Sequence, residues 1–131
     1  MSIEALKIIS DAMKSLGLNY SFMTYKVGAG QKLPEMYFTG EYQESPPLSE
    51  DGEQETSFIL NGFTRGTLLS LEEAKKKIKS YFPKVSGKTV ITDSGSAVVV
   101  FYSNSFTVPT EDAELKRIQI NLTIKEWSVI E

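Results

Sequence analysis

Between Arg117 and Ile124 polar and apolar side chains alternate without a break: Ile118, Ile120, Leu122 and Ile124 against Arg117, Gln119, Asn121 and Thr123. A period of two puts all four aliphatic residues on one side of a strand and the polar ones on the other. Such a strand needs a cover on one face only, which points to a sheet covered by helices on one side and to an antiparallel arrangement.

Two segments have the helical period that such a cover requires. Ile3, Leu6, Ile9, Met13 and Leu16 recur at three- and four-residue spacing behind Ser2 as a cap, with Gly17 as the terminator. Leu71, Ala74, Ile78, Tyr81 and Phe82 form a second stripe, for which Ser70 and Glu73 suggest a capping box and Pro83 the stop. Further strands are expected from Leu18, alternating through Met23 and fading at Val27, at the aromatic run 36–42, at 56–63, and at 88–92 and 97–102 with the hairpin turn Asp93-Ser-Gly-Ser96 between them. The expectation is one α+β domain over 1–131, with a mostly antiparallel sheet of five to six strands and two amphipathic helices on one face. Residues 27–34 are expected to form a flexible turn. Two prolines, Gly52 and several acids make 43–53 an expected mobile acidic loop.

With no cysteine and no histidine among 131 residues, a Ser-His-Asp or Cys-His centre, thiolate zinc and an imidazole switch are all excluded. A chain of this size buries roughly two thirds of its unfolded surface and needs no staple to fold. Gly28-Ala-Gly30 before Lys32 lacks Walker spacing, Asp93-Ser94 has no base, and Glu50-Asp51-Gly52-Glu53 lacks the alternating ligands of a calcium loop. No catalytic residue, cofactor or metal is expected. A formal net charge of −3 disfavours a general nucleic-acid role. Glu4 and Lys7 break the N-terminal apolar pattern that a signal peptide requires, and the longest apolar run, 97–102, is far short of the ~20 residues of a membrane span.

Charge is segregated along the chain. Six acids lie within 41–55 (Glu41, Glu44, Glu50, Asp51, Glu53, Glu55) with no base, and six lysines within 74–88 (Lys75, Lys76, Lys77, Lys79, Lys84, Lys88) with no acid. One reading is solvated surface, the lysines favouring the helix C-terminus through its dipole. The other is a contact between identical subunits in which Glu44, Glu50, Asp51 and Glu53 meet Lys75, Lys76 and Lys79 of the next copy, a heterologous pairing that can close a ring.

Three stretches carry a family resemblance. They are the aromatic strand from Pro34 to Glu44 leading into Glu50-Asp-Gly52, the strand Thr56-Ser-Phe-Ile-Leu-Asn-Gly-Phe-Thr-Arg65 passing to the helix Ser70-Leu-Glu-Glu-Ala-Lys-Lys-Lys-Ile78, and the acidic turn after Val108-Pro109 entering the alternating last strand. In order and pattern they resemble the tail completion and tail terminator proteins of long-tailed phages and related prophages, small minor tail proteins at the head-proximal end of the tail tube. The resemblance implies a non-enzymatic α+β subunit that forms a hexameric ring, ends tube growth and joins the tail to the head. Its partners would be its own copies, the major tail tube protein and the head-tail connector. It would reside in the host cytoplasm before assembly and in the virion tail afterwards. Two other classes fit an α+β chain: a small enzyme or ligand-binding domain with Tyr20, Tyr37 and Tyr102 lining a pocket, and an adaptor that takes a peptide along a sheet edge.

Overall fold

A computed structural model describes residues 1–44 and 53–127, with Glu53 described through its backbone alone. Helix α1 (Ile3–Ser15) and helix α2 (Leu68–Tyr81) accompany a six-stranded sheet of β1 (Tyr20–Phe22), β2 (Met36–Glu44), β3 (Glu53–Thr64), β4 (Lys88–Ile91), β5 (Ala97–Val108) and β6 (Lys116–Trp127). The spatial order is β1-β2-β3-β6-β5-β4, which places the alternating last strand at the centre, between the two other longest strands. The architecture is α+β, as the sequence pattern implies.

The sheet is mixed, which corrects the expectation of a mostly antiparallel one. β1 runs parallel to β2, with Tyr20 beside Phe38 and Phe22 beside Gly40. The other neighbours pair antiparallel. The cause lies in the connection between β1 and β2: it is a long crossover, as parallel neighbours require, and not a hairpin.

Helix α1 starts as expected, with the Ser2 hydroxyl accepting from the Ala5 N–H at 3.1 Å. It ends at a left-handed Gly17 (φ 72°), past which the Leu18 N–H returns to the Met13 carbonyl at 3.0 Å. The start of α2 differs from expectation. Thr67, in extended conformation, is the cap and accepts from the Ser70 N–H at 3.4 Å, so Ser70 lies inside the first turn. Strand β5 runs six residues beyond the expected 97–102, because a bulge between Tyr102 and Asn104 shifts its alternation while β6 continues to supply partners. Strand β1 is shorter than expected, since the chain leaves the ladder at Met23, which adopts a positive φ of 66°. Gln43 and Glu44 extend β2 and Glu53 opens β3; the rest of the expected 43–53 loop lies outside the described residues.

The core is continuous. Ala5, Ile9, Ala12 and Met13 of α1 and Leu71, Ala74 and Ile78 of α2 join Phe38, Phe58, Leu60, Val98, Val100, Ile118, Ile120, Leu122 and Ile124 in one buried cluster. The register puts these strand residues on one side of the sheet: Leu122 lies beside Phe58 and Tyr102, and Ile124 beside Thr56 and Val100. Burial of this apolar surface, at about 25 cal/mol per Å², is the main force holding helices to sheet.

Candidate assembly surfaces

The inward stripe of α2 fixes where its lysines go. With Leu71, Ala74 and Ile78 buried, Lys76, Lys77 and Lys79 are exposed by helical geometry. Lys75 is half-buried and pairs with Glu72 at 2.5 Å. Two other cations rest on rings, the Lys79 Nζ 5.3 Å from the centre of Tyr102 and the Lys88 Nζ 3.8 Å from the centre of Tyr81. An open groove of about 600 Å³ lined by Leu16, Glu73, Lys76, Lys77, Ser80 and Tyr81 runs beside the helix.

The acids are only partly placed. Glu41 and Glu44 are exposed on β2, where Glu41 accepts from the Asn61 amide at 3.1 Å and Glu44 takes the N-terminal ammonium as partner. Glu53 is in β3, while Glu50 and Asp51 lie outside the described residues. Among the described residues no ion pair joins Glu44 to Lys75, Lys76 or Lys79 within one chain.

The face of the sheet opposite the buried cluster has a structure that the charge pattern did not reveal. Asn61, only 6% exposed, donates to Glu41 and accepts from the Arg117 Nη2 at 2.8 Å. The Arg117 guanidinium lies 5.5 Å from the Phe63 ring, which stacks on Tyr37 at 5.2 Å, and Tyr37 meets Tyr25 at 5.2 Å. Further along, Asn121 donates to Asn104 at 2.7 Å and accepts from Gln119 at 3.0 Å, and the Ser103 and Thr123 hydroxyls are 2.6 Å apart. The signal was present in the polar half of the alternation: β6 carries an arginine, two carboxamides and a hydroxyl in succession. Cross-strand partners, with the Gln119–Asn121 bond along β6, turn such residues into a network.

Burial pushes the Tyr20 phenol up to about 12, and its hydroxyl has no hydrogen-bond partner. Asp112 is held below the usual carboxylate range by the Glu114 N–H and then by Arg65, whose Nη1 is 2.9 Å from it at an exposed turn. Among the described residues no three acidic side chains converge as a metal site would require. Tyr20, Tyr37 and Tyr102 border three different clefts, that beside Tyr37 being the more enclosed. No helix is long and apolar enough to cross a membrane. No protein-family model matches the chain, and a search of curated proteins finds no match.

Proposed function

We propose that this protein is a non-enzymatic assembly subunit of a phage or prophage tail, which forms a ring at the head-proximal end of the tail tube, ends the tube and joins it to the head. In this reading both helices cover the sheet face that carries Phe38, Phe58 and Leu122, and the opposite face is left for partners. The observation that carries it is that opposite face, where Glu41, Asn61 and Arg117 form one hydrogen-bonded line beside the half-buried rings of Phe63 and Tyr37. Fixed arginine and aromatic groups of this kind are the usual anchors of protein interfaces. The spread of Tyr20, Tyr37 and Tyr102 over separate clefts favours assembly over an enzyme with a closed pocket.

The partners are further copies of the chain, the major tail tube protein and the head-tail connector, met in the host cytoplasm and retained in the virion tail. Lys76 and Lys79, with Lys75 and its Glu72 partner, would present charge to the acidic side of a neighbour, Glu44 included. Electron microscopy of the protein mixed with tail tubes tests the reading. Density at one end of each tube, and tubes that no longer elongate, is the expected result; tubes that remain bare and keep growing would refute it.

A further inference from the structure

The two edges of the sheet are covered in opposite halves. One row of the sheet runs Glu44, Thr56, Ile124, Val100, Lys88, and a second, four residues along β2, runs Gly40, Leu60, Ile120, Ser105. On one edge, β1 pairs with β2 at Phe38, Thr39 and Gly40, and the Met23 N–H adds a last bond to the Gly40 carbonyl at 2.8 Å. On the other, β4 pairs with β5 from Ala97 to Val100, and the Tyr102 N–H is taken by the Phe82 carbonyl at 3.1 Å. Among the described residues no strand pairs with the outer side of 41–44 or of 103–108. In the row of Glu44 and Val100 only the β5 edge is covered, and in the row of Gly40 and Ser105 only the β2 edge is.

We infer that two copies of this chain join edge to edge, 41–44 of one pairing antiparallel with 103–108 of the next, so that the sheet continues from subunit to subunit. The strand directions permit it: β2 and β5 run oppositely within one copy, so two copies in the same orientation bring them together antiparallel. The covered halves permit it too. A copy displaced along the strand direction sets its bare 41–44 below β4 of its neighbour, in the column that β4 leaves empty.

Charge selects the same partner. The bare half of β2 carries Glu41 and the 43% exposed Glu44, whereas on the β5 side Lys79 lies over Tyr102, Lys88 over Tyr81, and Lys84 lines a cleft with Tyr102, Ser103, Lys125 and Glu55. The 103–108 edge carries no charge and no proline, the usual guards of a free edge, and leaves Phe106 50% exposed. The contact is heterologous, so it propagates or closes into a ring and does not stop at a two-fold dimer. It rests on the assembly reading above only for the place where the ring would act.

Cysteine trapping tests it in a chain with no native cysteine. Gln43 and Asn104 are exposed and lie on the same face of the sheet, so Gln43→Cys and Asn104→Cys come within disulfide reach only if the two edges pair. Concentrated folded variants, mixed under mild oxidation, should give a mixed disulfide at least tenfold above that of Gln43→Cys with Thr89→Cys. Each variant alone should give no more than that control. An Asn104→Cys homodimer in excess of the mixed species, or no mixed species above the control, overturns the inference. A chain bearing both cysteines separates the two claims: a covalent ladder without tube capping leaves the edge pairing and removes the tail function, and capping without a ladder does the reverse.

Discussion

The Phe38 ring occupies the space above Gly62, its cross-strand partner, so closely that a Cβ on Gly62 would fall 2.5 Å from Phe38 Cε2 and 3.0 Å from Ile118 Cγ2. Gly62→Ala should therefore destabilise the fold by about 1 to 3 kcal/mol, since both neighbours are fully packed and must shift to admit a methyl group. Chemical denaturation of the variant checks this. An unchanged midpoint would place Phe38 elsewhere.

Truncating the central strand should cost more. Leu122 and Ile120 are 1% and 0% exposed, and Leu122→Ala or Ile120→Ala should lose about 2 to 5 kcal/mol, a large share of the stability of a domain this size. Asn121→Ala and Thr123→Ala, one residue away on the opposite face, should cost far less. A thermal melt series over 120–123 would show this alternation if the register holds.

Helix α1 is tied to the last strand through its cap. The Glu126 carboxylate, 8% exposed, accepts from the Ser2 N–H at 3.3 Å and also from the Ser2 hydroxyl, which itself accepts from the Ala5 N–H. Ser2→Ala should destabilise by about 0.5 to 2 kcal/mol. Combined with Glu126→Ala in a double-mutant cycle, the two losses should be less than additive, because each removes the same bond.

Tyr20 predicts a pH dependence on the alkaline side. Its phenol is neutral in the fold up to about 12, while in the unfolded chain it ionises near 10.0, so the native state holds the proton longer. Stability from this group is complete below about 10 and is lost as pH rises toward about 12. Tyr20→Phe should flatten the fall in Tm over that range. At neutral pH it should be neutral or mildly stabilising, since the buried hydroxyl has no partner to lose.

Reversing Lys75, Lys76 and Lys79 together to glutamate should leave the fold intact, because none belongs to the buried stripe Leu71, Ala74 and Ile78. Single reversals should change little, as exposed pairs are worth about 0 to 1 kcal/mol each. Within the proposed function the triple variant should fail to cap tubes, and raised salt should weaken the parent in the same direction. Capping at parental levels by the triple variant would return these lysines to ordinary solvated surface.

Much of this architecture was legible in the chain. Periods of two and of three to four residues identified β6, α1 and the buried face of α2, because the side of an element that must leave water is encoded locally. The Gly17 terminator and the turn between Ile91 and Ala97 were equally local. What the sequence could not specify depends on neighbours. Whether β1 joins β2 parallel is a matter of where a long crossover lands, and the true cap of α2 depends on the extended conformation of Thr67. The reach of β5 past its bulge depends on β6. The Glu41, Asn61 and Arg117 line draws on three strands, and the two half-bare edges exist only once the strand order is set. Hydrogen bonds between strands join residues far apart in sequence, and only the folded sheet decides which of them meet.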